Sequence, residues 1–208
     1  MDPPIPLRLL TFSTLFPDST RPSHGVFVEN RLRHLVASGH AASTVLAPVP
    51  WFPSTHPRFG SYARYAAVPR FEHRHGLDVH HPRYIALPGI GMNIAPHLLY
   101  AAARPALARL IRRGLRFDAI DAHYLYPDGV AAIWLGAAFN TPVVITARGS
   151  DVTELPDHPT PNRLIRSAIH AAAHLIGVSS AICERLIDLG ANPACVTMLR
   201  NGVDTAVF

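Results

Sequence analysis

Phe117-Asp-Ala-Ile-Asp-Ala122, followed at once by His123-Tyr-Leu-Tyr-Pro-Asp-Gly129, decides the fold. The first six residues form a short run with the length and apolar character of a buried strand. The next block carries a histidine, two tyrosines, an acid and a glycine, and it runs into helix-like sequence through residue 139. A polar cluster therefore stands where a strand ends and a helix begins. In open α/β sheets that carboxyl edge is where ligands bind.

Strand and helix patterns alternate on both sides of this junction. Upstream, Leu7–Ser13 reads as the first strand and a loop rich in Pro, Asp, Ser and Thr runs to Ser23. Val26–Ser38 places Phe27, Val28, Leu32, Leu35 and Val36 on one helical face, Gly39 stops that helix, and Ala42–Ala47 forms the second strand. Residues 48–70 are rich in Pro and aromatics and show no period. Residues 70–84 read as a strand pair turning near Gly76, and 93–113 as a long helix that Pro105 is expected to kink or split. Downstream come strand Pro142–Thr146, helix 161–173, strand Leu175–Val178, helix Ser180–Leu189 and strand Cys195–Leu199. Short connections and apolar strands such as Val143-Val-Ile145 predict an α/β fold, a doubly wound, mostly parallel Rossmann-like sheet covered on both faces.

Composition narrows the function classes. With 49% hydrophobic and 16% charged residues the chain is globular. All 19 basic residues are arginine, and together with abundant Ala and Pro this marks a codon-composition bias, so the net charge of +5 reads as largely compositional. The arginines are scattered, and nucleic acid is not an expected partner. The two cysteines, Cys183 and Cys195, suit a reducing compartment and neither a disulfide scaffold nor a metal clip. The amino terminus reads as a strand and not as a signal peptide, no run reaches the roughly 18 apolar residues of a membrane span, and the expected location is cytoplasmic.

Three loops carry candidate chemistry. Thr20-Arg-Pro-Ser-His-Gly25 ends at a helix start, where unpaired amides and the helix dipole favour an anion and Gly25 admits close approach; an ordinary helix capped by Ser23 is the plain alternative. His123 stands at a strand end, and Asp128 with Gly129 could simply open the next helix. Thr146-Ala-Arg-Gly-Ser-Asp-Val152 leaves the next strand at the same edge, with Arg148 suited to a phosphate or carboxylate and Ser150 and Asp151 suited equally to a self-bonded turn. GxGxxG and GxSxG are absent, and the histidines at 73, 75, 80 and 81 straddle a turn without the companions of a zinc site.

In order along the chain, Leu15-Phe-Pro with Gly25-Val-Phe-Val28, Gly39-His40, the 123–129 block, Thr146–Asp151, Val178-Ser-Ser180 and Arg200-Asn-Gly-Val-Asp204 resemble glycosyltransferase family 4. The resemblance implies a retaining enzyme of GT-B architecture, here its N-terminal, acceptor-side domain over residues 1–200, with 201–208 opening the linker and the C-terminal donor domain absent. It implies glycosyl transfer from a nucleotide sugar to a sugar or lipid-linked acceptor in polysaccharide or glycolipid synthesis, with no metal and no cofactor. It also implies peripheral membrane association. Gly25 matches the glycine near the donor diphosphate and His123 the catalytic histidine near the reacting carbon. Arg148, Ser150 and Asp151 fall on the acceptor side, and Asn201 and Gly202 form the hinge. Many relatives carry histidine where Arg148 stands. Alone, the chain is expected to be inactive. The alternatives are a non-catalytic acceptor- or partner-binding domain and a nucleotide-sugar 2-epimerase.

Overall fold

A computed structural model describes residues 6–86 and 91–202 of the chain. Strand β1 (Leu7–Phe12) leads through a long loop to helix α1 (Val26–Ala37) and back to β2 (Ala41–Leu46). The unperiodic region holds β3 (Val49–Pro50) and α2 (Ser61–Ala67). The expected hairpin at Gly76 is present as β4 (Phe71–Arg74) and β5 (Leu77–His80), antiparallel, and β6 (Arg83–Tyr84) pairs with β3. Helix α3 (Gly91–Arg112) then precedes β7 (Ala119–His123) and α4 (Val130–Phe139). The chain finishes with β8 (Val143–Ala147), α5 (Ser150–Thr153), α6 (Pro159–Ala171), β9 (His174–Gly177), α7 (Ser180–Asp188) and β10 (Val196–Met198).

The main sheet runs β10-β9-β8-β7-β1-β2-β5-β4 and is parallel except at the β4–β5 hairpin. Neighbouring strand residues face opposite cores, as a sheet covered on both sides requires. On β2, Leu46 joins the core with Phe12, Leu99, Ile120 and Leu135, whereas Val45 joins the core that α1 closes with Val28 and Leu32. The doubly wound Rossmann-like fold expected from the alternation is the fold observed.

Pro105 does not split α3. Residues 101 and 105 are exposed, so the carbonyl that loses its partner faces water, while Leu99, Ala103 and Leu107 keep one helix face buried.

From β1 the chain winds to β2 and β5 on one side, then crosses to β7, β8, β9 and β10 on the other. The winding reverses between β1 and β7. Crevices at such a reversal, at the carboxyl ends of the strands, are where doubly wound sheets hold ligands.

Candidate functional site

His123 is the last residue of β7 and is buried, with 1% of its surface exposed. Its Nδ1 lies 2.9 Å from Arg148 Nη2 and its Nε2 lies 3.0 Å from Asp121 Oδ2. A guanidinium only donates, so Nδ1 must accept and Nε2–H must donate to the carboxylate. Burial pulls the imidazole pKa below its usual value, Arg148 and Arg31 push the same way, and Asp121 opposes them. The ring is thus neutral near neutral pH, in one tautomer, with both nitrogens engaged inside the chain. Asp121, two residues earlier on the same strand face, escaped the sequence reading; its i, i+2 spacing from His123 was the available signal.

Arg148 follows β8. Its Nη1 donates to Asn201 Oδ1 at 3.1 Å, its guanidinium carbon lies 4.5 Å from the centre of the Phe27 ring, and its Nε is buried without a partner. Phe27, expected on the buried face of α1, is instead exposed beneath this guanidinium. Arg31, further along α1, donates to Thr146 Oγ1 at 3.3 Å. Burial brings the Arg148 pKa down to about 10, and Arg31 adds to the effect.

The loop from β1 to α1 is tied to the β7 side. Thr14 N and Oγ1 donate to the Asp128 carboxyl at 2.8 and 2.9 Å, Ser13 Oγ donates to the His123 carbonyl at 3.2 Å, and His24 Nε2 lies 3.0 Å from the Thr14 carbonyl. Asp128 and Gly129 lie in a one-turn helix, Leu125–Gly129, that runs directly into α4, and the Asp128 carboxyl is fully buried against the first loop. Burial raises its pKa to about 7. Gly25, left-handed with φ of 68°, takes the N-cap position of α1, and Ser23 does not cap it. A Cβ at Gly25 would stand 2.3 Å from the Leu15 carbonyl carbon and oxygen, so the close neighbour that requires glycine is the chain itself.

Asp151, assigned to the acceptor side, is buried instead. Its oxygens accept from the amides of Leu125, Arg148 and Gly149 at 2.7, 3.0 and 2.7 Å, which fixes the β8–α5 turn and leaves no oxygen facing the cleft. Ser150, half-buried, bonds the Tyr124 hydroxyl. Tyr126 is core, its hydroxyl donating to the Met92 carbonyl. Asn201 and Gly202 are exposed, with Asn201 held by Arg148; residues 203–208 of the expected linker lie outside the described residues. The 73–81 histidines disperse: His73 pairs with Asp78, His80 stacks on Phe71, and His81 is buried against the Ala47 carbonyl. Among the described residues no group of three or more His, Cys, Asp or Glu could hold a metal ion.

Three crossovers thus bring the Gly25 loop, His123 and the Arg148–Asp151 turn to one rim at the winding reversal. A cavity of about 370 Å³ lined by Gly136, Asn140 and Thr141 opens at the opposite edge of the sheet, where β8 begins.

Comparison with known proteins identifies the rim's setting. The family model described as Glycosyltransferase Family 4 matches residues 24–207. The chain belongs to glycosyltransferase family 4. TuaC of Bacillus subtilis strain 168, a glycosyltransferase provisionally assigned to teichuronic acid biosynthesis, is 31% identical over 181 residues, covering 86% of this chain and 46% of TuaC. The chain spans about half the length of that relative. Among solved structures, a UDP-glucosyltransferase from Polygonum tinctorium superposes with a TM-score of 0.54 at 14% identity over 98% of this chain and 52% of its own. Anabaena HepE in complex with UDP and glucose gives 0.50 at 17% over 95% and 45%, and UDP-N-acetylglucosamine 2-epimerase from Rickettsia bellii gives 0.54 at 9% over 94% and 45%. At these identities the superpositions establish the fold, which family 4 shares here with epimerases and plant enzymes.

Proposed function

We propose that this chain is the acceptor-side lobe of a glycosyltransferase that moves a sugar from a nucleotide-sugar donor to an acceptor hydroxyl, with retention at the anomeric carbon. One observation carries the reading: three separate crossovers converge on a single rim at the winding reversal, in a chain of family 4. The family match favours transfer over epimerisation, which the fold alone does not separate.

In this reading the amino end of α1, set by Gly25, faces the donor diphosphate. The Val26 and Phe27 amides there have no intrahelical acceptor, Val28 N already donating to the Gly25 carbonyl, and the helix dipole stabilises charge accumulating on the departing group. His123 serves as a neutral, oriented hydrogen-bonding group beside the reacting carbon. Its Nδ1 becomes available when Arg148 turns aside. Ser150 and Arg148 line the acceptor side; Asp151 holds their turn in place. Asn201 and Gly202 lead towards a second lobe that supplies the rest of the donor site, a view supported by relatives about twice as long. The acceptor is a polysaccharide or glycolipid precursor, a lipid-linked acceptor fits peripheral association with the cytoplasmic membrane face, and no metal takes part.

The test is sugar transfer by the protein with its second lobe, comparing wild type with His123→Ala. Loss of a positioned polar group at the reacting centre is expected to lower kcat by about a hundredfold or more while the fold persists. Undiminished turnover would remove His123 from the mechanism. The 208-residue chain by itself is expected to show little or no transfer.

A further inference from the structure

Two partly buried arginines elsewhere in this molecule have carboxylate partners. Arg21 pairs with Asp18 at 2.6 Å, and Arg74 with Glu29 at 3.0 Å. Arg31 and Arg148 do not. Both are partly buried at the rim, yet among the described residues no carboxylate lies within ion-pair distance of either. Arg148 is held by neutral groups only: the His123 ring, the Asn201 amide and the face of Phe27. Arg31 has the Thr146 hydroxyl. Asp121 acts on both at longer range and Asp151 on Arg148, but Asp121 is already bonded to His123 and Asp151 to backbone amides.

Two half-desolvated cations with no direct ion-pair partner, beside carboxylates already committed to other donors, are an unfavourable arrangement. The depressed Arg148 pKa has the same origin. A direct partner can reach them from the open carboxyl edge, where the pair lies and where the Arg148 Nε–H is an unused donor.

We propose that Arg31 and Arg148 together form a subsite for an anionic oxygen group, phosphoryl or carboxylate, of a substrate bound in this cleft. The guanidiniums would offer forked, charge-assisted hydrogen bonds, and the anion would replace neutral His123 as the principal partner of Arg148, releasing Nδ1. Binding and exposure of His123 are thereby one event. The identity of the anion's carrier rests on the transferase reading: a diphosphate if the donor, a uronic acid if the acceptor.

The experiment is an NMR titration of the 208-residue chain with inorganic pyrophosphate, with glucuronate and with uncharged glucose, following the Arg148 Nε–Hε and His123 Hε1 signals. Saturable shifts are expected with an anion and none with glucose. Pyrophosphate binding alone assigns the subsite to the donor, and glucuronate binding alone to the acceptor. Arg31→Gln and Arg148→Gln should each weaken the anion by about tenfold or more, whereas Arg31→Lys, which keeps the charge, should retain most of the affinity. Unchanged amide spectra away from the rim confirm that the variants fold. Absence of saturable shifts with both anions, or undiminished binding in both Gln variants, overturns the subsite. Anion binding by a protein that transfers no sugar would leave the subsite standing and remove the transferase reading.

Discussion

Asp128 shows how much one buried carboxyl can govern at the residue scale. It is fully buried, and its oxygens accept from Thr14 N and Oγ1, holding the β1–α1 loop against the β7–α4 junction. Burial is the main cause of its raised pKa of about 7, and nearby Asp151 adds to it. A carboxyl whose folded pKa exceeds its unfolded one binds a proton in the folded state first. Its contribution to stability therefore falls as pH rises from about 4 towards 7, by an amount on the order of a few kcal/mol. Asp128→Asn keeps the shape and an acceptor for Thr14 N while removing the charge. The stability of Asp128→Asn relative to wild type should accordingly rise between pH 5 and pH 8, read as the difference in urea midpoints. A difference that is flat or falls with pH would mean that Asp128 is ionised throughout. Gly25 gives a second residue-scale test. Gly25→Ala must place a methyl on the Leu15 carbonyl at a left-handed φ, so it should lose about 2 kcal/mol or more in thermal or urea unfolding. A loss below a few tenths would show that the loop relaxes freely.

At the scale of elements, legibility followed how local the determinants are. Strands β1, β2, β7, β8 and β9 announce themselves because each is an apolar run bounded by breakers, and the β4–β5 hairpin because Gly76 adopts the positive φ of a tight turn. Elements β3, β6 and α2 left no trace because their partners are remote. Trp51 N bonds the Tyr84 carbonyl at 2.6 Å, and the Arg83 guanidinium satisfies the Tyr65 and Val68 carbonyls at the end of α2. No window of sequence contains both halves of such a bond. The candidate site divides in the same way: loop position alone puts Gly25, His123 and Arg148 at the rim, whereas Arg31 and Asp128 matter through contacts with residues over a hundred positions away. Helix α3 is the opposite failure, a local signal overruled by packing. Its buried Leu99, Ala103 and Leu107 hold the helix through Pro105. Pro105→Ala should restore a bond to the 101 carbonyl. Proline lies about 3 kcal/mol below alanine in a helix interior, offset by about 1 kcal/mol through the unfolded chain, so a gain of roughly 1–2 kcal/mol is expected in urea unfolding. A loss would mean that the helix is shaped to the proline ring.

Across the whole molecule, the charge is not the featureless background that the scattered arginines suggest. Residues 30–117 hold twelve of the nineteen arginines and only Glu72 and Asp78 among fourteen acids. That segment builds β2 to β6 with α2 and α3, so one half of the fold is basic and the β7–β10 half, residues 118–208 with five arginines against nine acids, is acidic. On the basic half, Trp51 and Ile85 are 53% and 57% exposed just beyond the β3–β6 pair, and Tyr62 is 44% exposed on α2 between Arg58 and Arg64. Aromatic rings interleaved with arginines match the headgroup zone of an anionic bilayer, where each basic residue contributes about 1 kcal/mol and the rings anchor at the interface. Because this surface follows the carboxyl end of β2, it lies on the same edge of the sheet as the rim, where a lipid-linked acceptor would be presented. No described helix is long and apolar enough to cross a membrane. The chain should therefore sediment with phosphatidylglycerol vesicles at low salt and not with phosphatidylcholine vesicles. Binding should be largely lost in 1 M NaCl, where the Debye length is about 3 Å. Trp51→Ala should weaken it at every salt concentration, and Arg58→Gln with Arg64→Gln should weaken it chiefly at low salt. Equal sedimentation with both lipids, or binding indifferent to Trp51 and to both arginines, would leave the basic half without a membrane role.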